Sequence, residues 1–170
     1  MASLPPLVLR LLGPGDDVAA LTVLIHRAYA RLGEMGLNYT AIDQDEETTR
    51  RRASRGACVV AEVEGRVVGT VAVQGPHPGS ESAWHRRADA CVLGQLAVEP
   101  ALQGRGIGSA LMDEAERRAR ESGAAWAVGD TAKPATHLIT MYEARGYRIV
   151  DEVQWPGKTY RSVVLAKPLR

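Results

Sequence analysis

Three glycines at alternate positions, Gly104, Gly106 and Gly108, lie in the segment Val98-Glu-Pro-Ala-Leu-Gln-Gly-Arg-Gly-Ile-Gly-Ser109. Residues of this type at this spacing hold anions. Glycine lets the backbone approach a ligand closely, and where such a turn opens a helix the first N–H groups point outward without intrahelical partners. The helix dipole adds to those donors, which makes a pyrophosphate the natural guest. Spacing separates three kinds of anion loop. A GxxxxGK[ST] loop needs a lysine that these glycines lack, and a GxGxxG dinucleotide fingerprint counted from Gly104 meets Ser109 at its sixth position. The pattern that fits is Q-x-x-G-x-G, carried by Gln103, Gly106 and Gly108 after the strand-like run Leu93-Gly-Gln-Leu-Ala-Val98.

The elements that must position this turn follow from changes of hydrophobic period. Leu7 to Leu12 reads as a strand, and Asp16 or Asp17 caps a helix with apolar positions Val18, Leu21, Ile25 and Tyr29. Residues 31 to 42 read as irregular, and a charged helix opens at Asp43, runs through Arg50-Arg51-Arg52 and ends near Gly56. Its charge run reads as a solvated face, with phosphate binding as the other reading. Two β-rich runs, 57 to 63 and 66 to 74, join at Glu64-Gly65 as a hairpin. Residues 75 to 90 carry the turn chemistry of a long loop, which in a compact domain is functional or disordered. After the strand at 91 to 98, the helix from Ile107 to Ser122 buries Ile107, Leu111, Ala115 and Ala119 on one stripe. Glu114 with Arg118 and Glu116 with Arg120 read as i,i+4 pairs on its exposed face. A strand at 124 to 130, a helix from Pro134 to Gly146 and strands at 147 to 154 and 160 to 167 complete a β-α-α-β-β-β-α-β-α-β-β order. This predicts one mixed α/β (α+β) domain over residues 1–170.

Composition narrows the function classes. Lys plus Arg number 21 and Asp plus Glu 20, a net charge of +1, which argues against a broad electrostatic grip on nucleic acid. Cys58 and Cys91 stand alone, suggesting buried thiols and neither a disulfide framework nor a zinc site. The amino-terminal stretch, interrupted by Pro5, Pro6 and Arg10, does not read as a signal peptide, and no apolar run approaches the roughly 18 residues that span a bilayer. A cytoplasmic protein is expected.

In its Glu64-Gly65-Arg66-Val67-Val68-Gly69 hairpin, its Leu-Ala-Val strand, its Q-x-x-G-x-G turn and its late Met141-Tyr142-Glu143-Ala144-Arg145-Gly146-Tyr147 segment, the chain resembles the GNAT superfamily of acyl-CoA-dependent N-acetyltransferases. The resemblance covers nearly the whole chain. It implies a mostly antiparallel sheet of about six to seven strands, flanked by about four helices and splayed between strands 4 and 5. It implies acetyl-CoA as acyl donor, with no metal. The pyrophosphate is then expected on the turn formed by Gln103, Gly104, Arg105, Gly106, Ile107, Gly108 and Ser109, and the pantetheine beside Leu96, Ala97 and Val98. One N–H there, of Leu96 or Val98, is expected to face the thioester oxygen. Tyr142 occupies the position of the family's general acid, although its place on an apolar stripe also suits a core residue.

The base is open. Where many relatives carry a carboxylate just ahead of the Leu-Ala-Val, this chain has Gly94 and Gln95. Asp130 is a candidate that also reads as a helix or turn cap, and His85 and His137 are further candidates that read more readily as surface histidines. Ala135 replaces the family's common asparagine. By family analogy the acceptor, a small-molecule or peptide primary amine, is expected near Tyr29, Glu34, Asn38, Tyr39 and Asp43, whose acidic groups suit a cation. The leading reading is acetyl transfer to that amine by direct attack; alternatives are a catalytically silent acyl-CoA sensor or interaction module and a nucleotide-binding protein. Neither nucleic acid nor a membrane is an expected partner, and a homodimer is compatible with the sequence.

Overall fold

The computed structural model describes residues 3–170; Met1 and Ala2, the start of the stretch read above against a signal peptide, lie outside the described residues. The elements run β1 (Leu7–Leu11), α1 (Val18–Glu34), α2 (Glu46–Ser54), β2 (Gly56–Val63), β3 (Arg66–Gln74), α3 (Ala83–Arg86), β4 (Ala90–Val98), α4 (Ile107–Glu121), β5 (Trp126–Ala132), α5 (Thr136–Ala144), β6 (Arg148–Val153) and β7 (Ser162–Pro168). Short 3-10 turns precede α2 at Thr40–Ile42 and α4 at Pro100–Leu102. Among the described residues the strands form one seven-stranded sheet in the order β1-β2-β3-β4-β5-β7-β6. All neighbours are antiparallel except β4 and β5. No helix among the described residues is long and apolar enough to cross a membrane.

Strand alternation divides the core. Ala97 and Val98 are successive residues of β4 and point to opposite faces. Ala97 packs with Leu21, Leu24 and Ile25 of α1, whereas Val98 packs with Ile107, Leu111 and Ala115 of α4. Each helix lays an apolar stripe on its own face. Asp17 caps α1 by accepting the Ala20 N–H, and Asp45, two residues later than expected, caps α2 by accepting that of Thr48. Gly69 is required where β3 meets α4, since a Cβ there would lie 2.9 Å from Leu111 Cδ1 and 3.0 Å from the Ala97 carbonyl oxygen.

Two sequence expectations need correction. Glu116 is not on an exposed face: it is 5% exposed and accepts hydrogen bonds from Tyr147 Oη and Lys167 Nζ, while Arg120 donates to the Leu169 carbonyl. The pairing of Glu114 with Arg118 does form, at 2.7 Å. The segment 75 to 90 is not all loop. It contains α3, which carries His85 into the interior at 3% exposure.

Candidate active site

The site begins where the sheet opens. The parallel pairing of β4 with β5 matches only Ala90–Val92 with Trp126–Val128, after which the strands diverge. A bulge explains the divergence: the β3–β4 register shifts between Thr70 and Ala72, and Gln95 within it takes a left-handed φ of 53°. Such bulges bend a strand. The Glu99 N–H returns to the Val68 carbonyl on β3, so by strand alternation the N–H groups of Leu96 and Val98 face the opening. The Val98 carbonyl there accepts from Gln103 Nε2 at 3.2 Å.

Directly beyond lies the glycine turn. Gly104 and Gly106 have φ of 76° and 86°, conformations that a side chain rarely adopts. The α4 ladder starts with the Ala110 N–H on the Gly106 carbonyl at 3.0 Å. The N–H groups of Ile107, Gly108 and Ser109 therefore lie ahead of it, as anion donors. A cavity of about 330 Å³ runs from this turn along β4 to Tyr142, with Leu96, Val98, Gly104 and Gly108 in its walls. Leu96, Ala97, Val98, Gln103, Gly104, Ile107 and Gly108 all line it, while Arg105, Gly106 and Ser109 stand on the exposed outer side of the turn. These residues fit an elongated acyl-CoA: unpaired strand edge for an amide-rich arm, free N–H groups for a pyrophosphate.

Tyr142 projects from α5 into the opening between the strands. Its ring meets Tyr147 edge-on at 5.3 Å. Burial pushes its phenol above the ordinary value, with Tyr29 and Asp130 acting in the same direction, so it stays protonated at neutral pH. Asp130, near the end of β5, accepts the Trp155 indole N–H at 3.0 Å and lies 3.4 Å from His85 Nε2. That second contact has an ion-pair distance without hydrogen-bond geometry, and His85 Nε2 is left without a hydrogen-bond partner among the described residues. The His85 ring stacks on Trp155, with centroids 5.3 Å apart.

Two further cavities meet at Asp130 on the other side of Tyr142. One of about 310 Å³ is lined by Tyr29, Tyr39, Gly94, Gln95, Lys158 and Tyr160 among others. A second of about 770 Å³ opens between α2, residues 75 to 80 and Trp155. The expected acidic acceptor pocket is not found among the described residues. Tyr29 and Tyr39 are in place, Tyr39 Oη accepting the Ala132 N–H at 2.9 Å. Glu34 and Asp43 are exposed and line neither cavity, and Asn38 instead ties down the loop at Gly157 and Thr159. His137 opens on the 330 Å³ cavity, away from the other two. Ala135 is fully buried with Leu32 and Leu37.

Arg52, Trp155 and Lys158 line this site though the sequence does not mark them as functional, and with them stands His85, a candidate base that reads as a surface histidine but is buried. For the first three, only the Arg50-Arg51-Arg52 run offered a signal, in its phosphate-binding alternative.

A sheet splayed at its one parallel pair, with a glycine turn at the mouth and a protonated phenol inside, defines an acyl-CoA-dependent acyltransferase. Residues 17–147 match the Acetyltransferase (GNAT) family, and the chain belongs to it as an acetyl-CoA-dependent N-acetyltransferase. It is 30% identical over 159 residues, 91% of this chain and 92% of the relative, to the S-(2-succino)cysteine N-acetyltransferase of Bacillus subtilis (strain 168). Its fold is similar to that of the ribosomal-protein-S18-alanine N-acetyltransferase from Escherichia coli, with a TM-score of 0.73 at 17% identity, covering 96% of this chain and 94% of that one. A GNAT family acetyltransferase from Elizabethkingia anophelis with acetyl-CoA bound gives a TM-score of 0.68 at 15% identity over 95% and 97% of the two chains.

Proposed function

We propose that this single-domain enzyme moves an acetyl group to a primary amine by direct attack, with the donor in the 330 Å³ cavity and the amine arriving from the side of Asp130. The observation that carries this reading is the divergence of β4 and β5 after Val92 and Val128, which leaves the Leu96 and Val98 N–H groups facing a cavity that ends on Tyr142. Acetyl-CoA supplies the acetyl group activated as a thioester. The turn from Gln103 to Ser109 holds its pyrophosphate, and the edge of β4 holds the pantetheine.

The Val98 or Leu96 N–H stabilises negative charge that develops on the carbonyl oxygen as the C–N bond forms. The Tyr142 hydroxyl gives its proton to the sulfur as the C–S bond breaks, and the surplus proton on the newly bonded nitrogen returns through water to the phenolate. Gly94 and Gln95 cannot take a proton. Asp130, already accepting the Trp155 N–H, orients the incoming ammonium, and water removes its proton before attack. A cytoplasmic setting belongs to the same reading, supported by the two buried free thiols Cys58 and Cys91.

The test is thiol release from acetyl-CoA with a panel of primary amines that includes S-(2-succino)cysteine, the compound named in the 30%-identical relative, beside binding of acetyl-CoA, ATP and NAD. Amine-dependent release with selective acetyl-CoA binding is expected. Acetyl-CoA binding without release by any amine would favour the sensor, and preferential ATP or NAD binding would favour a nucleotide-binding protein.

A further inference from the structure

We infer that the acceptor is an acidic amino acid, a primary α-amine carrying at least two carboxylates, with its α-carboxylate on Arg52 and Lys158 and its second carboxylate reaching Arg51 and Arg55. The inference rests on the acetyl transfer proposed above and concerns the two cavities on the acceptor side.

Their charge is lopsided. Arg51, Arg52 and Arg55 line the 770 Å³ cavity, and Arg52 and Lys158 line the 310 Å³ cavity, while Asp130 is the sole carboxylate among the described residues lining either. The whole chain carries a net charge of only +1, so this concentration of cations is local. Among the described residues none of these four cations makes an ion pair with a carboxylate. A cationic acceptor such as a polyamine, or a lysine in a basic peptide, meets repulsion here. An anionic one supplies the missing partners.

Arg52 is built into its place. Its Nη1 donates to Gln44 Oε1 at 2.8 Å, and Gln44 Nε2 in turn donates to Thr49 Oγ1 and Gln95 Oε1 at 2.8 and 2.9 Å. Gln44, Thr49 and Gln95 are all buried. This interior network fixes one side of the guanidinium. The Nη2 side has no acceptor among the described residues and stands over Gly94, where a Cβ would lie 3.9 Å away. The glycine thus leaves open the space that a carboxylate arriving at Nη2 needs. Lys158 Nζ has only neutral partners, the Asn38 carbonyl at 2.8 Å and Thr40 Oγ1 at 3.0 Å. Burial and the charge of Arg52 hold its ammonium below the usual value, a strain that a bound anion relieves.

The geometry orders the ligand. Asp130 is shared by these two cavities and the donor cavity, which places the amine there. Arg52 is shared by the two acceptor cavities, which places the α-carboxylate next to it. Arg51 and Arg55 line the outer cavity, where a side-chain carboxylate ends. A volume of about 770 Å³ is ample for a free amino acid of this kind.

The experiment compares kcat/KM, with acetyl-CoA saturating, for L-aspartate, L-glutamate and L-2-aminoadipate against L-glutamine, L-glutamate diamide and spermidine, for the parent and for Arg52→Gln. The acidic amines should be favoured by about ten-fold or more, the scale of one charge-assisted hydrogen bond, and the preference should shrink as salt rises. Arg52→Gln should raise KM for the best acidic amine by about ten-fold and leave acetyl-CoA affinity by calorimetry unchanged. A double variant, Arg51→Gln with Arg55→Gln, spares the buried network around Arg52; it should raise KM for the diacid more than for a monocarboxylate and so guards against a folding defect at Arg52. Equal or better use of spermidine or the diamide, or an unmoved KM in both variants, overturns the inference while acetyl transfer stands. Acetyl-CoA binding without acetylation of any acidic amine overturns it as well, and failure to bind acetyl-CoA overturns the donor reading on which it rests.

Discussion

The Tyr147 hydroxyl donates to Glu116 Oε1 at 3.0 Å, and the Tyr147 ring stands edge-on to Tyr142, the proposed acid. The same carboxylate accepts Lys167 Nζ at 2.8 Å and Arg145 Nη2 at 3.3 Å. Arg145 and Tyr147 of the Met141–Tyr147 segment therefore anchor the end of α5 to α4. Desolvation, with Glu116 adding to it, pushes the Tyr147 phenol up, so it remains a donor.

Glu116→Ala removes the acceptor and leaves buried donors unpaired. Breaking such an arrangement costs about 3 kcal/mol or more, which for a domain of this size lowers Tm by roughly 6–12 °C. Thermal melts check this. A melt within a degree or two of the parent would show that Glu116 is not needed to hold α5.

Ser109→Glu separates anion binding from folding. Ser109 is exposed in the first turn of α4, where a carboxylate favours the helix by about 0.3–1 kcal/mol. The same charge repels a pyrophosphate on the neighbouring N–H groups, so CoA affinity should fall about ten-fold while Tm holds or rises. Gly106→Glu is a poorer probe, because its φ of 86° adds backbone strain to charge. Unchanged CoA affinity in Ser109→Glu would move the pyrophosphate off this turn.

An acid-stability effect is expected at the start of α1. The Arg10 guanidinium, hydrogen-bonded to Asp16 at 2.7 Å, and then the Gly13 N–H hold the Asp16 carboxyl down from 3.8 to about 2. A depressed pKa contributes stability that is present above about pH 4 and lost as pH falls through about 2. Asp16→Asn should cost about 0.5–1 kcal/mol at pH 7, as for other partly exposed pairs. Denaturant titrations should show the gap between parent and variant closing from about pH 4 toward about pH 2. A gap constant with pH would assign the effect to shape alone.

Asp130→Asn keeps the shape and removes the charge. As an orienting group, Asp130 affects binding of the amine, so KM for the acceptor should rise more than kcat falls, with the acidic limb of the kcat/KM profile retained. Loss of that limb together with a sharp fall in kcat/KM would make Asp130 the base.

Sequence periodicity carried the fold far. The Ile107 to Ser122 stripe, the Glu64-Gly65 hairpin and, α3 apart, the succession of elements along the chain emerge in the structure with ends moved by a few residues, because local chemistry determines them. The Q-x-x-G-x-G turn was legible for the same reason: its positive φ values require glycine. The acceptor side was not. Arg52 sits in a charge run that resembles a solvated face, and what turns it inward is Gln44 together with Gln95, 51 residues further on. His85 reads as part of a polar loop, and its burial depends on Trp155, which arrives from the far end of the sheet. Such long-range packing leaves no periodic trace.

Tyr142→Phe separates acid catalysis from packing at the heart of the site. The substitution removes only the phenolic oxygen, which has no hydrogen-bond partner to lose among the described residues, so folding and the calorimetric Kd for acetyl-CoA should remain near the parent values. Turnover, measured as thiol release with a saturating acceptor, should fall by about ten-fold or more, as expected for a lost general acid. Turnover equal to the parent, with the same Kd, would make Tyr142 a packing residue with no part in proton transfer to the sulfur.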